Sequence, residues 1–298
     1  MNNIENYTGK EGNFTDTHSI IRSLVDNYIN EYNDSNISKS VITGLPTGFY
    51  DLDYHTRGFQ KGNLIVLAGR RWSSKFILAL NIASYTVLKE KITTAIFSTN
   101  MDAKEVVKKI IALNLGDNAP IMYRGIRDDE EKNLLKKCME TLSEVPLVID
   151  DRQYITVEEI REKCIKLKNE DNLGFVVIDS LQLLDVKQVE KGKDKRIVIA
   201  SSLKELAKEI KCPIIVISEI SSDGESKLNV RPELSDLDDK DYTKQFADLI
   251  ILLYVDRNNR NAENTDAELI IAKNRNGSVG KVRLCISPNG LLFRNRAW

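Results

Sequence analysis

The sequence predicts an α/β fold: a mainly parallel central sheet covered by helices on both faces, with an antiparallel extension at its C-terminal edge. Three observations predict it. First, short apolar runs rich in β-branched residues recur at 64–68, 94–98, 147–149, 175–178, 214–217 and 249–254. Each has the length of a buried strand, and none alternates with polar residues as a half-exposed strand would. Second, helical patterns separate most of these runs, as at 103–113, 157–167 and 197–210. Strand–helix alternation builds parallel sheets, because a parallel neighbour needs a crossover connection. Third, the tail changes character. Segments 267–272, 281–286 and 291–294 read as strands with no helix between them, and Pro288-Asn289-Gly290 is a turn signal between the last two.

The elements follow in order along the chain. Residues 1–17 are polar, with few apolar anchors, and read as a disordered tail. Residues 18–40 read as a short helix and a linker. Ile20, Ile21, Leu24, Val25, Tyr28, Ile29 and Tyr32 recur at one-, three- and four-residue steps, so they form one stripe. Asp16 or Thr17 supplies a cap, and Asn33-Asp34-Ser35-Asn36 breaks the pattern. Such a stripe must be buried, either on its own domain or on a neighbouring subunit. Residues 41–298 then form the α/β domain. Its first strand is followed by the apolar helix 77–83.

Composition narrows the function classes. The chain has 298 residues, 42% hydrophobic and 29% charged, with net charge −1. That is ordinary globular composition, and a protein that grips nucleic acid by bulk charge would be basic. Cys138, Cys164, Cys212 and Cys285 lie far apart, and His18 and His55 are near the N-terminus. No metal-finger spacing results, and scattered cysteines without a secretory signal suit a reducing cytoplasm. No apolar run approaches the roughly 20 residues of a membrane span.

The first candidate site is a phosphate-binding loop. The strand at 64–68 ends in Gly69-Arg70-Arg71-Trp72-Ser73-Ser74-Lys75-Phe76, and a helix follows. A glycine, four residues, Gly-Lys and a hydroxyl residue make up the full motif, in which backbone amides cradle phosphates and the hydroxyl binds magnesium. Gly69 and Lys75 hold that spacing. Ser74 stands where the second glycine belongs, and Phe76 stands where the hydroxyl belongs. The second candidate is Phe175-Val176-Val177-Ile178-Asp179, an apolar strand ending in a carboxylate, the support a magnesium ligand needs.

Four further segments carry a resemblance. Thr43-Gly44-Leu45-Pro46-Thr47-Gly48-Phe49-Tyr50-Asp51-Leu52-Asp53 is similar to the entry of the DnaB helicase C-terminal domain. Ile178-Asp179-Ser180-Leu181-Gln182-Leu183-Leu184 resembles that family's Walker B segment. Arg231-Pro232-Glu233-Leu234-Ser235-Asp236-Leu237 resembles the start of its DNA-contacting loop, and Ile270-Ile271-Ala272-Lys273-Asn274-Arg275-Asn276-Gly277 its arginine-finger strand. They occur in the family's order, and the helix at 18–32 resembles the family's linker helix. The resemblance implies a RecA-like P-loop fold, ATP with magnesium, a ring-type oligomer and single-stranded DNA. It also implies that Lys273 and Arg275 are donated to a neighbour's site, where an arginine finger is worth about 10³–10⁵ in rate.

The departures from the family point the other way. A catalytic glutamate is implied where this chain has Asn100, which cannot accept a proton from water; losing a general base costs about 10²–10⁴-fold. A sensor glutamine is implied where this chain has Glu219, whose carboxylate repels phosphate oxygens. Ser74 and Phe76 weaken the phosphate cradle and the metal site, and Ser73 or Ser74 would have to stand in as ligand from a different helix position. After Arg231 the implied DNA loop carries Asp238, Asp239, Lys240 and Asp241, so its charge opposes the DNA backbone. Lys191, Lys193 and Lys195 offer an alternative basic loop. The expectation is a degenerate ATPase that assembles with itself or with a replicative helicase and binds DNA weakly. The alternatives are an active helicase with divergent motifs, and a nucleotide-binding module that does not act on DNA.

Overall fold

The computed structural model describes residues 17, 21–22, 25, 42–71, 73–189, 193–220, 230–237, 242–256 and 265–296. Two compact units divide between residues 41 and 42. In the first, Thr17, Ile21, Arg22 and Val25 are helical; Ile20, Leu24, Tyr28, Ile29 and Tyr32 of the expected stripe lie outside the described residues.

The second unit is built on one nine-stranded sheet. Its strands are β1 (Leu64–Gly69), β2 (Thr94–Ser98), β3 (Leu147–Asp150), β4 (Phe175–Asp179), β5 (Ile214–Glu219), β6 (Leu249–Val255), β7 (Thr265–Asn274), β8 (Gly280–Ile286) and β9 (Phe293–Asn295). Their spatial order is β3-β2-β4-β5-β1-β6-β7-β8-β9. The pairings from β3 to β6 are parallel, and those from β6 to β9 are antiparallel. The helices are α1 (Tyr50–Thr56), α2 (Lys75–Tyr85), α3 (Ala103–Leu115), α4 (Ile121–Arg124), α5 (Asp129–Ser143), α6 (Val157–Asp171), α7 (Lys195–Ile210) and α8 (Thr243–Phe246).

The continuous apolar runs follow from burial on both faces. In β1, Ile65 and Leu67 point into one core cluster with Leu78, Ile82 and Ile110 of α2 and α3. Leu64, Val66 and Ala68 point into the other, with Ile160 and Cys164 of α6 and Leu203, Leu206 and Ile210 of α7. The outer antiparallel strand β8 alternates instead, with Val282, Leu284 and Ile286 buried and Lys281 and Arg283 exposed.

Local chemistry fixes the helix starts. Asp102 accepts the Glu105 amide and Asp128 the Glu131 amide. Thr156 and Glu159 form a reciprocal capping box at the start of α6. In parallel sheets the loops after the strands form the crevice where ligands bind, at the point where the strand order reverses. Here β1 sits between β5 and β6, and its C-terminal end opens toward the ends of β5 and β4.

Candidate nucleotide site and finger strand

Strand register brings the candidate residues together. Gly69 at the end of β1 is paired with Glu219 at the end of β5. Asp179 at the end of β4 is paired with Ser98, two residues before Asn100. Thr99 clamps this corner: its amide and hydroxyl both donate to the Asp179 carbonyl at 2.7 Å.

The loop between β1 and α2 keeps the shape of a phosphate cradle. A Cβ on Gly69 would lie 2.6 Å from the Ser73 hydroxyl and 3.0 Å from the Leu253 carbonyl, so a larger residue there must displace both. Ser74 adopts the left-handed conformation, with φ 62° and ψ 30°. Glycine takes that conformation freely, whereas an L-residue pays about 1–2 kcal/mol. Lys75 is the first residue of α2 and is largely buried; its ammonium donates to the Arg70 carbonyl at 3.0 Å. Burial pushes its pKa down, while the carboxylates of Glu219 and Asp179 pull it back up.

Arg70 is 6% exposed. Its guanidinium stands 3.5 Å from the Asp236 carboxylate, and none of its three nitrogens makes a hydrogen bond. The buried Ser73 hydroxyl is likewise without a partner. Arg71 is exposed and meets Glu219 at 3.4 Å.

Asp179 is buried, and desolvation raises its pKa to about 6. A hydrogen bond with the Asn100 side chain and the nearby Lys75 charge lower it, and Glu219 raises it further. Beside it, Gln182 Nε2 donates to Ser218 Oγ at 3.0 Å.

The residues suit phosphate better than magnesium. The loop, the α2 N-terminus and Lys75 suit an anion. A metal would need an oxygen at the helix position of Phe76, which is buried in the core with Leu78 and Ile82. Ser73 does not replace it. Its hydroxyl sits beside Gly69, and the residue lines a small cavity with Arg70, Leu253 and Tyr254 on the β6 flank. Asp179 lies on the opposite flank, with β5 between its strand and β1. Among the described residues, no group of three or more His, Cys, Asp or Glu side chains is placed to hold a metal ion.

The segment that resembles a finger strand belongs to a second cluster. Lys273 and Arg275 lie at the end of β7. The Arg275 amide donates to the Asp248 carbonyl at 2.8 Å, and its guanidinium is 3.4 Å from the Asp248 carboxylate. Asp248 is buried and also accepts from Lys204 at 2.5 Å and from the Leu64 amide at 2.9 Å. Lys273 donates to the Lys244 carbonyl at 2.8 Å; burial lowers its pKa, Asp248 raises it and Arg275 lowers it. Sequence reasoning missed Asp248. Its only signal was a lone acid before an apolar strand.

In the loop implied to meet DNA, Arg231 forms a bidentate pair with Glu268, both contacts 2.7 Å, and stacks over Tyr254. Asp238, Asp239, Lys240 and Asp241 lie outside the described residues, as does Lys191. Lys195 pairs with Asp185 at 2.8 Å. No helix among the described residues is long and apolar enough to cross a membrane.

Comparison with known proteins agrees with this architecture. The family model described as DnaB-like helicase C terminal domain matches residues 44–295. Replicative DNA helicase DnaB of Geobacillus stearothermophilus is 40% identical over 247 residues, covering 82% of this chain and 54% of that protein. The chain thus spans about half the length of this curated relative. A solved structure described as an ATPase domain superposes with TM-score 0.80 at 30% identity, covering 95% of this chain and all of the other. The structure of a DnaB-like replicative helicase and its interactions with primase matches with TM-score 0.80 at 27% identity, covering 97% and 69%. With a RecA-like nine-stranded sheet and a family match over nearly the whole second unit, the chain belongs to the DnaB-like helicase C-terminal domain family.

Proposed function

We propose that this chain is a ring-assembling member of the family, acting in DNA replication with itself or with a replicative helicase, whose own ATP turnover is very slow. One observation carries the reading: the catalytic corner holds Asn100 on the Asp179 carboxylate and Phe76 buried at the metal-ligand position. Asn100 accepts no proton, and Phe76 offers no oxygen. The retained Lys273 and Arg275 support the other half of the reading, because a finger serves a neighbouring subunit's site rather than its own. Relatives named replicative DNA helicases support the link to replication.

Steady-state phosphate release with magnesium and single-stranded DNA tests it. Turnover at about 1 s⁻¹ or above, the lower range of ordinary enzymes, would end the proposal. Ser74→Gly, Phe76→Thr and Asn100→Glu together should raise the rate, and any one alone should not, because such groups act as a unit. A second reading, an active helicase with divergent motifs, is favoured by Lys75 and Asp179, which keep their places at the start of α2 and the end of β4. The same assay separates the two.

A further inference from the structure

On the β6 flank of β1, apart from the candidate phosphate cradle, Arg70, Arg71 and Ser73 line a cavity of about 20 Å³ together with Pro232, Leu253 and Val255. Among the described residues, Ser74 and Lys75 take no part in its lining. We propose that this cavity binds a single chloride ion, held by the Arg70 guanidinium and the Ser73 hydroxyl. Size sets the guest. A void of about 10–15 Å³ is enough for one water-sized particle. The cavity therefore admits one such particle and is too small for a phosphate or sulfate with its four oxygens.

The donor count decides between chloride and water. Arg70 and Ser73 are each 6% exposed, and neither the three guanidinium nitrogens nor the hydroxyl makes a hydrogen bond. A guanidinium carries five N–H donors and no acceptor. Burying a cation in that state is costly unless an acceptor completes it. The nearest carboxylate falls short of doing so. Asp236 Oδ2 stands 3.5 Å from Arg70 Nη2, beyond the 2.7–2.9 Å or so of a charge-assisted hydrogen bond, and the same oxygen accepts the Glu233 amide at 2.9 Å. A water would accept from these donors but would bring two protons of its own. The side chains of Pro232, Leu253 and Val255 offer those protons nothing. Chloride accepts from several directions at once and brings no proton. Arg71, mostly exposed and 3.4 Å from Glu219, adds positive charge on the same lining. Because the walls come from both the loop after β1 and the segment at Pro232, the ion ties the two together.

The test is urea denaturation of the full chain at fixed ionic strength, with sodium gluconate exchanged stepwise for sodium chloride. The midpoint should rise and then saturate, as it does for a ligand that binds only the folded state. A midpoint that stays put, or drifts without saturating, overturns the proposal. Ser73→Ala should raise the half-saturating chloride concentration about tenfold or more, the worth of one hydrogen bond to a charged group; an unchanged value refutes the site. Arg70→Met should abolish the chloride dependence. If that variant does not fold, the unaltered chain and Ser73→Ala decide the question. Crystals grown in sodium bromide should show an anomalous peak in the cavity. Water density there without that signal overturns the proposal, and a peak without the saturating shift marks an adventitious ion only and overturns it too.

Discussion

Replacing Lys204 with methionine should destabilise the α/β unit by about 3 kcal/mol or more, because breaking one partner out of a buried ion pair costs about 3–5 kcal/mol. Lys204 and Asp248 are both nine-tenths buried or nearly so, and their charged atoms are 2.5 Å apart. Lys204 also donates to the Gly62 carbonyl at 2.8 Å. Methionine keeps most of the apolar stem and deletes the ammonium, so packing changes little and the electrostatic loss dominates. The Leu64 amide remains on the Asp248 carboxylate, which argues for the low end of the range. At about 2–4 °C per kcal/mol for a domain of this size, the melting temperature should fall by about 6–12 °C. Urea denaturation followed by circular dichroism measures the free energy, and thermal denaturation the shift. A loss below about 1 kcal/mol, the value of an exposed pair, would refute the claim that this pair is energetically buried. Combining Lys204→Met with Asp248→Asn should cost less than the two single changes summed, since the second removes the charge the first stranded.

Three further outcomes follow from the geometry. Arg275→Ala should leave association intact and abolish any stimulation of a partner helicase's ATPase in mixed samples; unchanged stimulation would remove Arg275 from the neighbour's site. Asp53 is buried, and desolvation raises its pKa from 3.8 to about 6 against three hydrogen bonds from the Thr47 amide and hydroxyl, which lower it. A raised acid binds its proton more tightly folded than unfolded, so its contribution should fall as pH rises from about 4 to about 6, by about 1–3 kcal/mol. Urea midpoints across that window should therefore decline less in Asp53→Asn than in the unaltered chain, and equal slopes would contradict the assignment. Gly69→Ala should cost both stability and nucleotide binding, because its Cβ meets the Leu253 carbonyl at 3.0 Å; a variant that binds nucleotide as before would show that the loop gives way.

Much of the fold was legible because burial on both faces writes itself as uninterrupted apolar runs. Each of the six runs from 64 to 254 falls on one of β1 to β6. The tail was harder. β7 runs from Thr265 to Asn274, beyond the apolar stretch at 267–272, because ladder pairing with β6 and β8 carries polar ends along. The expected strand at 291–294 becomes Phe293–Asn295. Leu291 is buried but belongs to the turn closed by the Ser287 amide on the Leu292 carbonyl, and hydrophobicity alone does not separate a buried turn residue from a strand residue.

At the site, Gly69, Lys75 and Asp179 were legible because a strand end, a loop and a helix start are local features. The Arg70–Asp236 and Asp248–Lys204 contacts were not. Their partners lie far apart in the chain, and only the strand order brings them together. That Ser74 takes a positive φ was readable only as a missing glycine.

Asp248 sits beside Leu64, the first residue of β1, whereas the candidate phosphate loop begins at Gly69, its last. At about 3.3 Å per residue the two are about 17 Å apart along one strand. The unit therefore has two poles, one bearing its own cradle and the other its cationic strand end. Substitutions accumulating at the first need not disturb the anchoring of the second, since among the described residues no side chain of the loop takes part in the Asp248 cluster's hydrogen bonds. If the chain assembles as proposed above, such a unit would be a one-way part: able to act on the neighbour it faces with one pole while giving nothing back through the other.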